Sequence, residues 1–324
     1  MEILLNRTHC VDCLDGLAWI PSGSVDCVIT SPPYFNLRDY HTDGQIGLEE
    51  TPEEYIARLA GVFDEVRRVL KDSGTLWIVI GDSYVGSCKG GARYYQKTKK
   101  YKQNTNTGAL ECTAIFKASG KYKRKDLIGI PWMLAFELRR RGWYLRQDII
   151  WQKPNPMPES MTDRCTRSHE YIFLLSKKRH YYFSQMLEPA KYDGRRDTRI
   201  KGSHKYSQGV TGLNPQTFAA RGMDRWPRSE DGRYLRNVRD VWNIPIRHSS
   251  LNHFATFPED LATRILLAAC PERGTVLDPF MGSGTVAIAA VRNHRQFIGF
   301  DISRDYVEIA NERVEKEYEE IAIH

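Results

Sequence analysis

Residues 276–285 read Val-Leu-Asp-Pro-Phe-Met-Gly-Ser-Gly-Thr, and this segment is the most informative one about the fold class. Its first residues continue a short apolar run from Thr275, which predicts a buried strand that ends beside Asp278. Gly282 and Gly284 then allow a tight turn whose backbone can approach a ligand closely, and the apolar run that follows predicts a helix. A strand, a glycine-rich turn and a helix in this order indicate a ligand site at the carboxyl edge of an open α/β sheet.

A second acid, Asp301, follows the next predicted strand, where it could accept hydrogen bonds from both hydroxyls of a ribose. The turn lacks the Gly-Lys-Ser/Thr ending of a phosphate loop, and its glycine spacing is not that of the dinucleotide fingerprint. Asp278 would repel a pyrophosphate but suits a ligand with an ammonium or sulfonium group. The pattern therefore favours a nucleoside ligand and disfavours a nicotinamide dehydrogenase.

The rest of the chain also alternates short apolar runs with amphipathic segments, and this alternation predicts an α/β fold with a doubly wound, mostly parallel sheet. Thr51 and Pro52 are typical of the start of a helix. We expect two strands near residues 169–183 to pair through the basic turn between them. The predicted strands are 25–30, 75–80, 144–151, 169–176, 181–183, 275–277 and 296–300, and the predicted helices are 52–70, 131–141, 258–269, 285–293 and 304–321.

Composition excludes several classes of protein. No apolar run approaches the roughly 18 residues that cross a bilayer, and the first residues do not resemble a secretory signal. The seven cysteines are an odd number without a disulfide pattern, which favours a reducing interior. Cys10 and Cys13 lack the second spaced pair that a zinc site needs, so no metal is predicted. We expect a cytoplasmic protein.

The formal net charge of +7 hides two basic segments. Residues 85–125 contain 11 Lys and Arg against one acid, a net charge of +10. Residues 189–249 contain 13 Lys and Arg against six acids, a net charge of +7, so the rest of the chain carries −10. Aromatic residues stand between the cations in both segments, which suits a polyanion with exposed bases. The charge pattern therefore predicts a nucleic-acid partner.

The second informative motif is Thr30-Ser31-Pro32-Pro33-Tyr34, which follows the first predicted strand. Two prolines stop a central strand and leave a rigid loop rich in acceptors. Together with residues 276–285, this motif resembles the amino-group DNA methyltransferases that use S-adenosylmethionine. The chain order resembles the circularly permuted beta class, because the Ser-Pro-Pro-Tyr loop comes first and the cofactor loop comes near the C-terminus. Residues 253–258, His-Phe-Ala-Thr-Phe-Pro, are similar to an additional cofactor-pocket motif of that class.

The resemblance implies a Rossmann-like methyltransferase fold and assigns roles to individual residues. Ser31 and the carbonyl of Pro32 would accept the hydrogens of the target amine, with Pro33 keeping the loop rigid, and Tyr34 would stack on a base flipped out of the duplex. Asp278 would face the methionine part of the cofactor, Asp301 its ribose and Asp12 its adenine. The implied cofactor site comprises Asp12, Phe254, Phe257, Asp278, Phe280, Gly282, Ser283, Gly284 and Asp301, without a metal.

The resemblance covers residues 8–188 and 250–324. It implies a catalytic domain of residues 1–188 and 250–324, in which residues 85–125 form a DNA-contacting insertion. The unmatched residues 189–249 stand where the family has its target recognition domain. The implied partner is double-stranded DNA, and no membrane partner is expected. The sequence leaves open whether the enzyme forms a homodimer and whether a cognate restriction endonuclease accompanies it.

The resemblance also implies a target base, through the first residue of the Ser-Pro-Pro-Tyr loop. Serine at position 31 resembles the cytosine-N4 enzymes, whereas aspartate is more usual in adenine-N6 enzymes, so we expect methylation of a flipped cytosine with adenine as the alternative. A catalytically silent DNA-binding module is disfavoured by the intact loop. An RNA or protein methyltransferase is disfavoured because asparagine more often begins the corresponding loop in those enzymes.

Overall fold

The structure is a computed structural model, and it describes residues 5–37, 42, 44–86, 120–190, 227–230, 233–246 and 258–323. Its helices and strands alternate along most of this length. In chain order the elements are β1 (Arg7–Cys10), α1 (Cys13–Trp19), β2 (Val25–Thr30), α2 (Pro52–Val69), β3 (Leu70–Ile80), α3 (Ile130–Arg140), β4 (Tyr144–Gln152), β5 (His169–Ser176), β6 (Leu187–Pro189), β7 (Leu235–Asn237), β8 (Val241–Asn243), α4 (Glu259–Ala269), β9 (Thr275–Asp278), α5 (Thr285–Arg292), β10 (Gln296–Asp301) and α6 (Arg304–Ile323).

Eight of these strands form one sheet in the order β1-β10-β9-β2-β3-β5-β4-β8. The first five strands run parallel, β5 is antiparallel to both of its neighbours, and β4 and β8 are parallel to each other. The prediction of an α/β fold with a mostly parallel sheet is therefore confirmed. Strand β2 pairs directly with β9, with Val28 opposite Leu277, so motifs from the two ends of the sequence become neighbours.

Helix α2 shows how local sequence fixes an element that supports the sheet. Thr51 accepts a hydrogen bond from the Glu54 amide at 3.2 Å, and the Glu54 carboxylate accepts one from the Thr51 amide, so both caps of the first turn are satisfied. Pro52 occupies the first position, where its missing N–H costs nothing. One face of α2, which includes Leu59 and Phe63, is fully buried in the core. The cap and the apolar spacing together hold this helix against the sheet.

Strand β3 lies near the centre of the sheet. Residues 76–80, Leu-Trp-Ile-Val-Ile, are all fully buried, as expected of a strand covered on both faces. Its neighbour β5 is equally apolar from residue 172 to residue 175. Because these two central strands are packed on both faces, the ends of the strands beside them are held in fixed positions.

One predicted pairing is wrong. Residues 181–183 are irregular and do not form a hairpin with β5. The reason is that both edges of β5 are already taken, by β3 on one side and by β4 on the other. A third strand has no free hydrogen-bonding edge there. The amide of Tyr182 instead donates to the carbonyl of Ser73 at 2.8 Å.

The described chain divides into two compact units, Met1–Ser184 with Asp240–His324, and Gln185–Arg239. The larger unit contains the eight-stranded sheet and all six helices of the described residues. The smaller unit contains the short antiparallel pair β6 and β7, in which the Arg236 guanidinium pairs with the Glu188 carboxylate at 2.8 Å. Strand β8 belongs to the main sheet, although it lies within the range 189–249 that we expected to form a separate region. Among the described helices, none is long and apolar enough to span a membrane.

Candidate active site

The sequence motifs meet at one edge of the sheet, which we call the carboxyl edge because the five parallel strands end there. Strands β1, β10, β9 and β2 are consecutive neighbours, and the paired positions Cys10–Asp301 and Gly299–Asp278 set their ends side by side. The residues that follow or end these strands are, in spatial order, Asp12, Asp301, Asp278 and Ser31. The predicted cofactor acids and the first catalytic residue therefore form one row.

Asp278 is the most buried acid of this row, with 1% of its surface exposed. Its Oδ1 accepts hydrogen bonds from the Thr30 hydroxyl at 2.6 Å and from the Phe280 amide at 3.0 Å. Burial, assisted by the charge of Asp301, raises the pKa of Asp278 to about 7. Within the described part of the chain, no Lys or Arg forms an ion pair with it. A buried carboxylate in this state is suited to a ligand that brings its own positive charge.

The glycine-rich turn lies beside Asp278 and adopts the backbone that its sequence predicts. Gly282 has φ +54° and Gly284 has φ +87°, both in the left-handed region that favours glycine. A Cβ at Gly282 would meet nothing within 4 Å, so the space above its backbone is open to a ligand. A Cβ at Gly284 would lie 3.0 Å from the Cβ of Ala310, so this glycine allows α6 to approach the turn.

Ser283 is held from the opposite side of the turn. It is 3% exposed, and Arg313 donates to its carbonyl at 2.5 Å while lying 3.5 Å from its hydroxyl. Arg313 is itself paired with Glu259 at 2.7 Å. The side chain of Ser283 therefore contacts Arg313 of α6. What the turn presents to a ligand at this position is its backbone.

Asp301 and Asp12 hold backbone amides at the neighbouring strand ends. Asp301 accepts from the Gly282 amide at 2.8 Å and from the Ser303 amide at 2.9 Å, and burial raises its pKa. Asp12 caps helix α1 by accepting from the Leu14 amide at 2.8 Å. Both acids thus have a structural hydrogen bond, and Asp301 contacts the glycine turn directly through Gly282.

The Ser-Pro-Pro-Tyr loop is fixed at two points. The Tyr55 hydroxyl, from α2, donates to the carbonyl of Pro33 at 2.7 Å. The Tyr34 hydroxyl donates to Oε2 of Glu170 at 2.7 Å, and burial together with this carboxylate raises the pKa of Tyr34 well above its usual range. The loop is therefore a rigid wall of the site beside Asp278.

Three polar residues at this edge were not predicted as site residues: Asp82, Lys153 and Glu170. Asp82 follows β3 and accepts from the amides of Gly129 and Ile130 at the start of α3. Lys153 follows β4 and pairs with Glu170, near the start of β5. The sequence does show a signal for Asp82, because this carboxylate stands two residues after an apolar strand. Glu170 is the second residue of β5. It lies at the carboxyl edge only because β5 runs antiparallel to β3, so that its start is beside the end of β3.

Several predicted site residues lie outside the described residues. These are Phe254 and Phe257. Most residues of the two basic segments, 85–125 and 189–249, also lie outside the described residues. Phe280 is described and is half-buried against the hydrophobic core. Among the residues that the structure describes, no group of three His, Cys, Asp or Glu side chains could hold a metal ion.

Comparison with known proteins identifies the class to which this edge belongs. The family model for N6/N4 methyltransferases, described as DNA methylase, matches residues 25–312. The type II methyltransferase M.Cfr9I of Citrobacter freundii is 40% identical over 306 residues, which cover 94% of this chain and 86% of that protein. The type II methyltransferase M.SmaI of Serratia marcescens is 41% identical over 305 residues, covering 94% and 88%.

Solved structures agree with this result at the level of the fold. The PvuII DNA methyltransferase, described as cytosine-N4-specific, has a TM-score of 0.60 at 16% identity, covering 99% of this chain and 93% of that one. The TTHA0409 protein of Thermus thermophilus, complexed with S-adenosyl-L-methionine, has a TM-score of 0.55 at 24% identity, covering 96% and 95%. The chain belongs to the N6/N4 family of S-adenosylmethionine-dependent amino-group DNA methyltransferases.

The residues at the carboxyl edge fit this cofactor. S-adenosylmethionine carries an ammonium and a sulfonium group, and the buried Asp278 lacks a cationic partner among the described residues. The open space above Gly282 admits a ligand against the backbone of the turn. The chemistry of the donor set and the shape of the turn therefore agree with the family.

Proposed function

We propose that this enzyme methylates the exocyclic N4 amine of a cytosine flipped out of duplex DNA at a specific sequence. The observation that carries the proposal is the position of Ser31. It directly follows Thr30, whose hydroxyl is bonded to Asp278 at 2.6 Å, so the loop with serine at its first position adjoins the proposed cofactor site. The family resemblance associates serine at this position with cytosine and aspartate with adenine.

The chemistry of the amine explains why such a loop is needed. The lone pair of an exocyclic amine is delocalised into the ring, so the nitrogen is a weak nucleophile until acceptors draw on its hydrogens. Ser31 and the carbonyl of Pro32 are the acceptors that we propose. The Pro33 carbonyl is already occupied by Tyr55, which holds the loop backbone in place. Tyr34 would stack on the flipped base.

S-adenosylmethionine supplies a methyl group on a sulfonium centre. We assign its methionine part to Asp278, its ribose to Asp301 and its adenine to Asp12, with Phe254 and Phe257 beside the adenine. Phe280 and the turn from Gly282 to Gly284 complete this set. Since no covalent enzyme intermediate is required, most of the rate would come from holding donor and acceptor in line.

DNA is held, in this proposal, by the two basic segments. Residues 85–125 would contact the backbone, and residues 189–249 would read the sequence. Arg236 and Arg228 belong to the second segment, and the Arg228 guanidinium lies 4.1 Å from the ring centroid of Tyr234. Arginine suits the recognition of phosphate and nucleic acid because its planar guanidinium donates two parallel hydrogen bonds, so the ten arginines of this segment support the assignment.

Identification of the methylated nucleoside tests the proposed base. DNA exposed to the enzyme and S-adenosylmethionine is digested to nucleosides, and the products are separated by mass spectrometry. N4-methylcytosine is expected, and N6-methyladenine as the sole product would contradict the proposal. Sequencing that maps modified bases on the same DNA gives the recognition site. Parallel reactions with RNA and protein substrates are expected to give no product.

The relatives named as type II methyltransferases support a further part of the proposal, namely a modification role in a cytoplasmic restriction–modification system. A cognate endonuclease would then cut the same sequence. Plasmid DNA recovered from cells that express this chain is expected to resist an endonuclease of that specificity. A homodimer is a separate question, which sedimentation of the full chain answers.

A further inference from the structure

Arg313 of α6 joins the glycine turn to the start of helix α4. Its Nη1 donates to the carbonyl of Ser283 at 2.5 Å, and its Nη2 donates to Oε1 of Glu259 at 2.7 Å. Glu259 is the first residue of α4 and directly follows residues 253–258, which resemble a cofactor-pocket motif. One guanidinium therefore contacts the turn and also the residue next to this second predicted cofactor segment.

The carboxylate that Arg313 contacts is itself held from its other side. Oε2 of Glu259 accepts from Nη1 of Arg292, the last residue of α5, at 2.8 Å. The Nε and Nη2 atoms of Arg292 donate to the two carboxylate oxygens of Glu317 at 2.7 Å each, and Glu317 is 8% exposed. Two bonds in parallel from a guanidinium to a carboxylate are strong and directional. Glu259 is thus a fixed acceptor for Arg313.

Helix α6 is fixed at the level of the turn by two further contacts. The side chain of Asn311 accepts from the Thr8 amide at 2.9 Å and donates to the Thr8 carbonyl at 3.0 Å, which joins α6 to β1. Ala310 lies against Gly284, where an added Cβ would be 3.0 Å from its own. Because Arg313 follows Ala310 by three residues, both lie on the same face of the helix. The packing therefore delivers Arg313 to the turn.

Arg313 controls the peptide that joins Ser283 to Gly284. Glycines stand on both sides of Ser283, and their backbone has more freedom to rotate than that of other residues. The amide of this peptide donates to the carbonyl of Met281 at 3.1 Å, which closes the turn. Its carbonyl accepts from Arg313, which turns it toward α6. Both polar groups of the peptide are therefore held, one within the turn and one by the helix.

We propose that Arg313, supported by Glu259, is a positioning residue that holds the glycine turn in the shape that binds S-adenosylmethionine. The inference rests on the proposed placement of the cofactor against this turn. A positioning role and a purely electrostatic role differ in sign. S-adenosylmethionine carries a net positive charge at neutral pH, so the loss of a nearby cation would by itself strengthen binding. The loss of a positioning residue weakens it.

Calorimetry on the full chain tests this difference with Arg313→Met, which keeps a long apolar side chain and removes the guanidinium. We expect the affinity for S-adenosylmethionine to fall by about tenfold or more, as for the loss of a hydrogen bond from a charged group. The affinity for S-adenosylhomocysteine, which lacks the sulfonium charge, should fall by a similar factor. Single-turnover methyl transfer at saturating cofactor and DNA should stay within about twofold, since Arg313 does not act on the reacting atoms. Unchanged or tighter binding of S-adenosylmethionine would overturn the proposal.

Arg313→Lys separates the geometry of the guanidinium from its charge. Lysine keeps the positive charge but lacks the planar fork that reaches both acceptors, so this variant should also bind the cofactor weakly. Wild-type affinity in Arg313→Lys would show that charge alone is enough and would overturn the positioning role. If Arg313→Met is too unstable to assay, Arg313→Lys carries the same test.

A double-mutant cycle tests the part that Glu259 plays. Glu259→Ala removes the acceptor of Nη2 and should weaken cofactor binding less than Arg313→Met does. In the Arg313→Met background it should cause no further loss of affinity. Multiplicative losses in the double variant would show that Glu259 acts other than through Arg313, and its supporting role would then be wrong.

Arg68→Met is the matched control for stability. The Arg68 guanidinium also holds backbone, because it donates to the carbonyls of Leu17 and Ile20 at 2.8 Å each, at the C-terminal end of α1. This variant should melt at a lower temperature yet bind S-adenosylmethionine with wild-type affinity. Thermal melting of every cofactor-free variant measures the loss of fold. A loss of cofactor affinity in Arg68→Met equal to that in Arg313→Met would overturn the proposal, because general destabilisation would then explain both.

Asp301→Ala distinguishes failure of this inference from failure of the proposed cofactor site. If Asp301→Ala and Arg313→Met both bind S-adenosylmethionine with wild-type affinity, the cofactor does not lie against this turn, and the proposed site is wrong. If Asp301→Ala binds weakly while Arg313→Met binds as the wild type does, only the inference about Arg313 is wrong.

Discussion

The hydroxyl of Thr30 donates to Oδ1 of Asp278 at 2.6 Å, and both residues are buried. Thr30 is the last residue of β2 and precedes Ser31, whereas Asp278 is the last residue of β9. The bond thus joins the strand that carries the proposed catalytic loop to the strand that carries the cofactor turn. A substitution at Thr30 should therefore change the orientation of Asp278 as well as the position of the loop.

Thr30→Val tests the hydrogen bond between Thr30 and Asp278 directly. Valine has nearly the shape of threonine but cannot donate, so the buried Oδ1 of Asp278 would lose its closest donor. We expect the free energy of unfolding to fall by about 1–3 kcal/mol. Affinity for S-adenosylmethionine should fall too, since Asp278 is no longer oriented. Urea unfolding and titration calorimetry measure the two effects.

Thr75→Val is the matched control for stability. The Thr75 hydroxyl is also buried, and it accepts from the indole nitrogen of Trp77 at 3.1 Å, within β3 and away from the carboxyl edge. This variant should lose stability yet bind the cofactor with wild-type affinity. Equal cofactor affinities for Thr30→Val and Thr75→Val would show that the Thr30 bond does not organise the cofactor site.

The raised pKa of Asp278 predicts a pH dependence of stability in the cofactor-free enzyme. The unfolded chain releases this proton near its ordinary pKa of 3.8, whereas the folded chain retains it up to about 7. Between these values the folded state binds more protons, so stability should fall as pH rises from about 4 to about 7 and then level off. Asp278→Asn is expected to abolish this contribution in urea unfolding measured across that range.

Cofactor binding should show the opposite trend, because a cationic ligand prefers the ionised carboxylate. Affinity for S-adenosylmethionine is expected to rise by up to about tenfold per pH unit below pH 7 and to be flat from there to pH 8. Calorimetry in buffers matched for ionic strength measures it. A wild-type affinity independent of pH from 5.5 to 8 would contradict an uncharged Asp278 in the free enzyme.

Ser31→Ala and Asp301→Ala should separate catalysis from cofactor binding. Ser31→Ala removes the proposed acceptor and should retain cofactor affinity while losing most turnover. Asp301→Ala removes the proposed ribose acceptor and releases the amides of Gly282 and Ser303, so cofactor affinity should fall by about tenfold or more. Calorimetry and single-turnover rates compare them, and equal loss of cofactor binding in both would refute this division of roles.

The two glycines of the turn should differ in their tolerance of alanine. Both require positive φ, which costs roughly 1 kcal/mol for alanine. Gly284→Ala would also press on Ala310 at 3.0 Å and should be the less stable variant. Gly282→Ala projects into open space, so we expect it to fold but to bind the cofactor weakly. Thermal melting with and without S-adenosylmethionine distinguishes the two effects.

The basic segments should differ in what they control. Replacing several cations by glutamine within residues 189–249 should change which sequences are methylated. The same treatment of residues 85–125 should weaken binding to all sequences and lower the salt dependence of the binding constant. Modified-base sequencing and salt titrations of DNA binding measure the two outcomes. Unchanged sequence choice after the first set would place recognition elsewhere in the chain.

Elements with a strong local signal could be predicted from the sequence. Helix α2 has a capping box at Thr51 and a regular apolar face, and β2 ends at two prolines, so both were found close to their bounds. Strand β1 and helix α1 are short and half-exposed, and they carry no comparable periodicity. The false strand at 181–183 had a β-like composition, but strand pairing depends on which edges are free, and that is a property of the whole sheet.

The residues of the candidate site also differ in whether local sequence or the whole sheet determines their position. Asp278 and Asp301 are the last residues of β9 and β10, and Ser31 directly follows β2. These three strands run parallel to one another, so the order of strands and motifs along the chain was enough to group the three residues. Glu170 reaches the same edge because β5 runs the other way, which the apolar pattern of a buried strand does not reveal. The cap that Asp82 supplies to α3 likewise joins positions whose contact depends on the fold. Sequence therefore predicted the motif residues better than the residues that hold them.

The position of β1 at the edge of the sheet has a consequence for synthesis. Strand β1 is made first, yet in the sheet its neighbour is β10, and β9 and β10 together separate it from β2. Strand β1 therefore stays unpaired during synthesis until the segment that contains β10 has emerged from the ribosome. Contacts between such distant segments form slowly. The row of strand ends at the carboxyl edge should thus be assembled only after β9 and β10 have been synthesised.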